Sequence, residues 1–447
     1  MLKTKILETK YMEQFKRKKI LLITDSILLP SGVGTIGKEI VLNSSHHYNW
    51  VNLGCAPNNP KIGKILDLSK DFNKQMGLTD SYVRVYPYQT YGDMNILRQI
   101  MEIEKPDAIL LITDPRSFTY IWENEHEIRS KIPICYLNIW DQEELPPYYN
   151  LPYYESCDLL MAISKATQIV NEKVIEKSIL KQKPLITYNP HGKNPDIFKP
   201  IDKDDPKLIE FKKKFIANPT DDDFVLLFNS RNIQRKNVPN TLLAWKEFIK
   251  ITPHPETCYF ILHTNPKDPK GPDLEAIKRD IIGENYNIIF DTKIRSEEEM
   301  NLLYNIADAT ILASYNEGWG LALTESMLAG TSIIATHTGG MKDQLLKNEI
   351  DDGSWAHSIY SDVKEVIGSQ NTPYIYKDIA NVCSIAFRIH DMYKEKKINK
   401  RDFGSEGREH CLKNKFTSKG MAERTIEAID KTLENFKSRE KYQIIKL

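Results

Sequence analysis

Two carboxylates and several glycines stand close together within residues 316–330, whose sequence is NEGWGLALTESMLAG. Glu317 is followed by Gly318 and Gly320, and seven residues separate it from Glu325. Glycine allows the backbone to approach a ligand closely, and the free amides at the start of a helix attract anions. Carboxylates accept hydrogen bonds from hydroxyl groups. These groups together suit a ligand that carries both phosphates and hydroxyls, such as a nucleotide sugar.

The flanking residues predict a strand, a tight turn and a helix at this place. An apolar run over residues 309–313 predicts the strand, and the run that begins at Leu321 predicts a helix with a glycine C-cap. Glu317 then lies in the turn, and Glu325 lies about one turn inside the helix. The amides of residues 320–324 would face outward and suit a diphosphate without a metal ion. The alternative is that Glu317 only forms the turn and Glu325 only faces solvent.

A second cluster of polar residues follows the apolar run over residues 224–229. Arg231 and Lys236 would lie at the carboxyl end of that predicted strand. They can neutralise a diphosphate leaving group, with arginine binding in a bidentate manner and lysine acting as a point charge. A solvated basic loop is the alternative interpretation.

Length and pattern predict the elements that would position these groups. A chain of 447 residues is too long for one hydrophobic core. Short apolar runs alternate with amphipathic stretches, which predicts an α/β fold of two Rossmann-like, doubly wound parallel sheets facing a cleft. The predicted units are an acceptor domain over residues 1–200, a nucleotide-sugar donor domain over residues 201–420 and a last helix over residues 421–447. The predicted strands span residues 20–24, 50–53, 108–113, 134–138, 159–163, 185–189, 224–229, 259–263, 288–290, 309–313 and 332–336.

Composition excludes several classes of function. The charge balance is zero, with 61 basic and 61 acidic residues, so no overall attraction to nucleic acid or an anionic membrane is expected. Six scattered cysteines without a C-x-x-C pair argue against a zinc site and a disulfide framework, and they suit a cytoplasmic protein. The apolar runs are too short to cross a bilayer. The basic residues 16–19 leave peripheral membrane contact open, although a solvated tail is the simpler interpretation.

A glycine-rich stretch over residues 31–39, SGVGTIGKE, follows the first predicted strand and matches two phosphate-binding patterns. A P-loop needs a hydroxyl for magnesium where this chain has Glu39. An NAD site needs an acidic residue after the second strand, where residues 52–54 read Asn-Leu-Gly. Two interpretations remain: a turn that lets the helix pack closely, or a loop whose Gly32 and Gly34 approach a donor phosphate or an acceptor.

The motifs in their order resemble those of the retaining GT-B glycosyltransferases, in particular glycosyltransferase family 4 (glycosyl transferases group 1). The resemblance is specific from about residue 185 to 345. The residues that carry it are Arg231 and Lys236, residues 306–309 (Ile-Ala-Asp-Ala), Ser314, residues 317–321 (Glu-Gly-Trp-Gly-Leu), Glu325, Gly330, residues 338–340 (Thr-Gly-Gly), and the segment 189–200, which is similar to the family's interdomain signature.

This resemblance implies roles for individual residues. Glu317 would hold sugar hydroxyls, Glu325 would hold the nucleotide ribose, and Arg231 and Lys236 would hold the diphosphate. The remaining donor-binding residues implied are Gly32, Gly34, Lys293, Ile294, Gly318, Trp319, Gly320, Leu321 and Thr324. The last helix would cross back to the first domain.

The sequence departs from the family after the strand predicted over residues 134–138, where members commonly carry a histidine near the sugar. Residues 139–143 here are Ile-Trp-Asp-Gln-Glu, so Asp141 is the candidate polar contact. His191 and His337 are expected to serve structural roles. The tyrosine-rich residues 146–154 suit either simple packing or stacking on a sugar or base.

We therefore expect a metal-independent transfer of a hexose from a UDP- or GDP-sugar, with retention of configuration and no prosthetic group. One alternative is an inverting enzyme with Asp141 as base, which would include action on a modified DNA base. A sugar phosphorylase and a non-catalytic nucleotide-sugar-binding protein are the others. The acceptor stays open among a glycan, a lipid-linked sugar, a protein and a modified nucleic acid.

Overall fold

The computed structural model of the chain describes residues 17–142 and 145–439. Its first sheet has eight strands in the order β3-β4-β2-β1-β5-β6-β7-β8. All neighbours are parallel except β3 and β4, which pair antiparallel. The strands are β1 (Lys19–Asp25), β2 (Asn49–Cys55), β3 (Leu66–Asp67), β4 (Val83–Tyr88), β5 (Ala108–Ile112), β6 (Ile134–Asn138), β7 (Leu159–Ala162) and β8 (Leu185–Tyr188).

The second sheet has six parallel strands in the order β11-β10-β9-β12-β13-β14. A separate antiparallel hairpin, β15-β16, follows it in the chain. The predicted fold class, two doubly wound parallel sheets, is confirmed. These strands are β9 (Phe224–Asn229), β10 (Cys258–His263), β11 (Ile288–Asp291), β12 (Ala309–Leu312), β13 (Ser332–Thr336), β14 (Ala356–Ile359), β15 (Val363–Ser369) and β16 (Thr372–Ile379).

Helices connect the parallel strands. In chain order they are α1 (Gly32–Ser44), α2 (Ser69–Met76), α3 (Met94–Glu104), α4 (Thr119–Trp122), α5 (Glu125–Arg129), α6 (Leu151–Glu155), α7 (Lys165–Glu176), α8 (Pro206–Lys212), α9 (Val238–Ile251), α10 (Leu274–Ile277), α11 (Glu297–Asn305), α12 (Leu321–Leu328), α13 (Lys342–Leu345), α14 (Val382–Tyr393), α15 (Gly404–Lys413) and α16 (Ser418–Asn435).

The central strands are continuous apolar runs because both of their faces are covered by helices. In β1 the side chains from Ile20 to Ile23 are fully buried, and in β9 the same holds from Phe224 to Phe228. In each sheet the chain order reverses beside the first strand of that sheet, between β1 and β5 and between β9 and β12. Ligands of doubly wound sheets bind at such a switch point, beyond the carboxyl ends of the strands.

Helix α16 returns to the first sheet and packs against α1. Asp430 of α16 accepts hydrogen bonds from the Tyr48 hydroxyl at 2.6 Å and from His47 Nε2 at 2.8 Å. Asn189, just after β8, donates to the Thr425 hydroxyl at 2.8 Å. Helix α16, which follows the second sheet in the chain, is therefore held against the first sheet.

Candidate active site

The turn between β12 and α12 holds Glu317, as the sequence predicted. Gly320 ends the turn with φ 88°, a left-handed conformation that favours glycine, and α12 begins at the next residue. A Cβ added at Gly340 would collide with the carbonyl oxygen of Gly318, so the loop after β13 also lies directly against this turn. The helix start and Glu317 therefore sit together at the carboxyl edge of the second sheet.

Glu317 is the centre of a buried charged cluster, which we call the Glu317 cluster and which comprises Glu317, Ser314, Arg235 and Lys236. The residue is 4% exposed. Its Oε1 accepts hydrogen bonds from the Ser314 hydroxyl at 3.0 Å, from Arg235 Nη1 at 2.8 Å and from the Lys236 ammonium. Oε2 accepts none from the described residues, which leaves that oxygen available to a ligand.

The cations of this cluster come from β9, the strand next to β12. A 3-10 turn, Gln234–Lys236, follows β9 and directs both side chains toward Glu317. Arg235 also donates to the carbonyl oxygen of Asn316 at 2.9 Å. Arg235 remains partly accessible while Lys236 is 8% exposed, so one cation faces the cleft and the other is sealed beneath it.

Burial and charge compete in setting the pKa of Glu317. Burial raises it, but the Lys236 ammonium and the Arg235 guanidinium outweigh burial and hold the pKa at about 2. Burial lowers the pKa of Lys236 against the opposing effect of Glu317. Because these contacts form a direct ion pair with two cations, Glu317 is a carboxylate at neutral pH.

Arg231, which the sequence singled out, does not join this cluster. Its guanidinium makes a bidentate pair with Asp268, at 2.6 and 3.0 Å, and its side chain is 56% exposed. Arg235 instead contacts Glu317. No sequence pattern distinguishes the two arginines, since they lie four residues apart in one polar loop.

Glu325 lies inside α12, as predicted, and both of its oxygens have partners. The Tyr304 hydroxyl donates to Oε2 at 2.7 Å, and Lys193 Nζ lies 3.3 Å from Oε1. Lys193 is 3% exposed and also pairs with Glu297 at 2.6 Å. Burial lowers the pKa of Lys193, while Glu325 and Glu297 raise it to a net value above the ordinary one. The sequence analysis missed this lysine.

Two other predicted donor-binding residues have buried side chains. Trp319 Nε1 donates to the Thr324 hydroxyl at 2.8 Å, and that hydroxyl donates to Gln344 Oε1 at 2.7 Å. Gln344 in turn donates to the carbonyl oxygen of Trp319 at 2.6 Å. These bonds brace the start of α12, so contact of Trp319 or Thr324 with a donor is restricted to backbone groups.

The predicted base-binding residues lie in an exposed loop after β11. Ile294 is almost fully exposed, and Lys293 pairs with Glu299 at 3.0 Å on the surface. No contact joins either residue to the Glu317 cluster within residues 17–142 and 145–439. Their role at a nucleotide base remains a prediction.

The first domain reaches the Glu317 turn through the loop after β6. A Cβ added at Gly318 would meet the carbonyl oxygen of Ile139, and one at Gly339 would meet those of Glu317 and Asp141. Burial raises the pKa of Asp141, while Arg235 lowers it and Glu317 raises it. Asp141 therefore lies within electrostatic reach of the cluster. Glu143 and Glu144, the other acids of this loop, fall outside the described residues.

The glycine-rich stretch forms the start of α1, with Ser31 as its N-cap. The Ser31 hydroxyl accepts from the amide of Gly34 at 3.0 Å and donates to Asp25. Glu39 is buried within α1, and its charge helps to raise the pKa of Lys193. The approach of Gly32 and Gly34 to a donor phosphate stays a prediction.

His191 and His337 both make packing contacts. Burial lowers the pKa of His191 to about 3, and its ring lies 6.5 Å from that of Trp319. The ring of His337 stacks on Tyr360 at 4.9 Å. Both arrangements fit the structural roles expected from the sequence.

The described residues were also considered as metal ligands and as membrane-spanning helices. Within the described ranges, no group of three or more His, Cys, Asp or Glu side chains is placed to hold a metal ion. Among those same residues, none of the helices combines the length and apolar character needed to span a bilayer.

Comparison with known protein families bears on the same part of the chain. The family model "Glycosyl transferases group 1" matches residues 210–368, which include the whole Glu317 cluster and Glu325. The chain carries a glycosyl transferases group 1 domain. A curated relative, the D-inositol 3-phosphate glycosyltransferase of Corynebacterium jeikeium (strain K411), is 36% identical over 72 residues, which are 14% of this chain and 17% of that protein. The aligned part is thus a small fraction of that relative.

Solved structures with a similar fold cover nearly the whole chain. A glycosyltransferase from Rickettsia africae ESF-5 has a TM-score of 0.65 at 14% identity and covers 94% of this chain and 100% of its own. Sucrose-phosphate synthase from Thermosynechococcus elongatus has a TM-score of 0.65 at 16% identity, and the match covers 94% of this chain and 100% of that one. Anabaena Alr3699/HepE in complex with UDP and glucose has a TM-score of 0.63 at 14% identity, and the match covers 93% of this chain and 100% of that one. At these identities the likeness establishes the GT-B fold.

Proposed function

We propose that this chain transfers a hexose from a nucleotide diphosphate sugar to an acceptor hydroxyl. The observation that carries the proposal is the Glu317 cluster, which places a buried carboxylate and two cations at the switch point of the second sheet, beside the start of α12. The family match over residues 210–368 supports it. A site with fixed positive charge and a helix start is suited to a leaving diphosphate.

In this reaction the cluster stabilises charge that appears on the diphosphate. The acceptor oxygen bonds to the anomeric carbon, and the bond from that carbon to the phosphate oxygen breaks with its electron pair going to the diphosphate. Arg235 and Lys236 lie beside Glu317, which fixes their positions before substrate arrives. Fixed charges need no reorganisation during the reaction, and such electrostatic stabilisation is usually the largest contribution to rate.

In this proposal Glu325, the second carboxylate, binds the ribose of the nucleotide. Glu325 is held by Tyr304 and Lys193 with both oxygens oriented. Each carboxylate oxygen has a further lone pair for a ribose hydroxyl. UDP-glucose is the first donor to test, because a structural neighbour, Anabaena Alr3699/HepE, was solved with UDP-glucose. A GDP-sugar is the other donor considered.

We further propose retention of anomeric configuration, without a metal ion. The support is the resemblance to the retaining family, in which a leaving phosphate oxygen can take the acceptor proton, so that no separate base is needed. A second candidate, inversion with Asp141 as base, is favoured by one observation: burial raises the pKa of that carboxyl, and a base works best when its pKa approaches the working pH.

Release of UDP from UDP-glucose, followed by a coupled assay, tests the proposal. We expect slow release without acceptor and no release by Lys236→Ala. Tight UDP binding without any release would instead support a non-catalytic nucleotide-sugar-binding protein. The anomeric configuration of the product, measured by NMR, separates retention from inversion, and full activity of Asp141→Asn would exclude Asp141 as base.

A further inference from the structure

The β15-β16 hairpin spans from the Glu317 turn to the first domain. At its base, Asn316 donates to the carbonyl oxygen of Tyr376 at 2.7 Å, and the amide of Asp378 donates to that of Tyr315 at 3.1 Å. The hairpin is therefore fixed to the same turn that carries Glu317. Any movement of this hairpin is mechanically linked to the candidate active site.

The other half of the hairpin rests on the first domain. The Tyr149 hydroxyl donates to the carbonyl oxygen of Tyr374 at 2.8 Å, and the Tyr374 hydroxyl donates to that of Pro146 at 3.0 Å. The two tyrosine rings meet edge to face with centroids 5.0 Å apart. Arg116 Nη1 also reaches the carbonyl oxygen of Asn371, at 3.5 Å. These contacts involve the tyrosine-rich residues 146–154, for which the sequence left packing and stacking on a sugar or base both open.

A cavity of ≈390 Å³ lies between the hairpin and the first domain. Its walls on the first domain come from the ends of β5 and β6 and include Trp140 and Asp141, and its roof includes Ile367, Thr372 and Ile375 of the hairpin. Small-molecule sites measure about 300–1,000 Å³, so this one is near the lower limit. It opens beside Asp141, which is within electrostatic reach of Glu317.

The charges around the cavity disfavour an anionic ligand. The guanidinium of Arg116 is already held by Asp114 through two contacts, one of them at 2.7 Å. Asp141 adds a carboxylate, so the lining residues carry two acids and one base. An anion would meet no unpaired cation among them, whereas hydroxyl groups would find carboxylate acceptors.

The indole of Trp140 points to a ligand that carries hydrogen-bond acceptors. Its Nε1 is buried and donates to no partner within the described ranges. A buried donor without a partner is destabilising, because it has lost its hydrogen bonds to water. An oxygen of a bound sugar would satisfy it, while the ring offers an apolar face to the sugar's C–H groups.

We propose that this cavity is the acceptor site and that the hairpin restricts it to a small, uncharged, hydroxyl-rich acceptor, a mono- or disaccharide. The inference rests on the proposed glycosyl transfer and names its second substrate class. A protein, a nucleic acid or a long glycan chain would need the hairpin displaced from Tyr149 and Pro146. The roof residues Ile367 and Ile375 are cross-strand partners and face the cavity together.

The experiment uses the full chain with UDP-glucose as donor and UDP release as readout. Maltose should raise the release rate above hydrolysis by water, and glucose 6-phosphate should not. Ile375→Trp fills the cavity and should raise the KM for maltose about tenfold or more, with the affinity for UDP unchanged. Ile375→Ala enlarges the cavity and should admit longer maltodextrins.

Val366→Trp is the matched control, because Val366 neighbours Ile367 on the same hairpin, is 55% exposed and does not line the cavity. This variant should behave as wild type. Equal stimulation by glucose 6-phosphate, no stimulation by maltose while UDP-glucose is bound and hydrolysed, or an unchanged KM in Ile375→Trp would overturn the acceptor assignment. Absence of binding of both UDP and GDP would instead overturn the proposed function.

Discussion

Arg235 Nη1 lies 2.8 Å from Glu317 Oε1 and so joins the end of β9 to the turn after β12. These two strands are neighbours at the switch point of the second sheet. The contact brings together residues 235 and 317, which lie 82 positions apart in the chain. It also identifies which cation of the β9 loop faces the candidate donor site.

Arginine substitutions in that loop should differ sharply in effect. Arg235→Ala should lower kcat for UDP release by about 100-fold or more, as loss of a charge-stabilising donor does. Arg231→Ala removes a 56% exposed side chain that contacts Asp268 and not Glu317, so no charge at the cluster is lost and kcat should change less than about fivefold. Steady-state kinetics on the two variants decides. The reverse order of effects would restore the sequence-based choice of Arg231.

Lys236 and Glu317, the buried ion pair of the Glu317 cluster, should both be essential for transfer, but their loss should affect stability unequally. Lys236→Ala and Glu317→Ala should both abolish transfer with the fold intact. Lys236→Ala leaves Glu317 paired with Arg235, whereas Glu317→Ala leaves two cations without a counter-ion, and loss of a partner from a buried pair destabilises by about 3–5 kcal/mol. Urea unfolding should show Glu317→Ala as the less stable variant. Wild-type activity in both would refute the assignment of this site.

Lys193 should support both stability and nucleotide binding. Lys193→Met leaves Glu325 and Glu297 without their shared cation, so the free energy of unfolding should fall by about 3 kcal/mol and UDP should bind more weakly. Calorimetric binding of UDP together with thermal unfolding measures both effects. Lys250→Met is the control, because that exposed lysine of α9 pairs with Glu247 on the surface and has no assigned role in donor binding. Unchanged UDP affinity in Lys193→Met would contradict the assignment of Glu325 to nucleotide binding.

The contact between the domains at Asp343 should make stability depend on pH. Burial raises the pKa of Asp343 to about 6, against hydrogen bonds from the Lys165 amide and the Tyr188 hydroxyl that lower it. The folded pKa thus exceeds the unfolded value of 3.8. Its stabilising contribution is fully present below that unfolded value and is lost as pH rises through 6.

Comparison with Asp343→Asn isolates this effect. Between pH 4 and pH 7 the free energy of unfolding of the wild type should fall by up to about 3 kcal/mol relative to that of the variant, since each pKa unit corresponds to about 1.4 kcal/mol. Urea unfolding across this range measures the difference. Asp204→Asn, at an exposed position, should follow the wild-type curve. Parallel curves for wild type and Asp343→Asn would contradict the raised pKa.

The sequence predicted the strands whose two faces are both covered. The strands over Ile134–Asn138, Phe224–Asn229 and Ser332–Thr336 begin and end where the apolar runs predict. The hairpin was missed because β15 is mostly exposed and carries no apolar run, so only its pairing with β16 defines it. Strand β4 was missed because its burial alternates along the strand and Pro87 interrupts the pattern.

The candidate site was predictable only where one local segment defines it. The turn with Glu317 and the helix with Glu325 follow from residues 316–330, because strand end, glycines and helix start are consecutive. The choice of Arg235 over Arg231 depends on the 3-10 turn that orients the side chains. The involvement of Lys193 depends on how the interdomain segment packs against α12, which no local pattern encodes.

Binding of UDP and of uridine by isothermal titration calorimetry, in wild type and Lys236→Ala, tests most directly whether the Glu317 cluster receives the donor's diphosphate. UDP and uridine share the ribose and base, so the difference between their affinities reports the contribution of the diphosphate. We predict that wild type binds UDP at least about 100-fold more tightly than uridine and that Lys236→Ala loses most of that difference. Equal binding of UDP by wild type and Lys236→Ala would contradict the account.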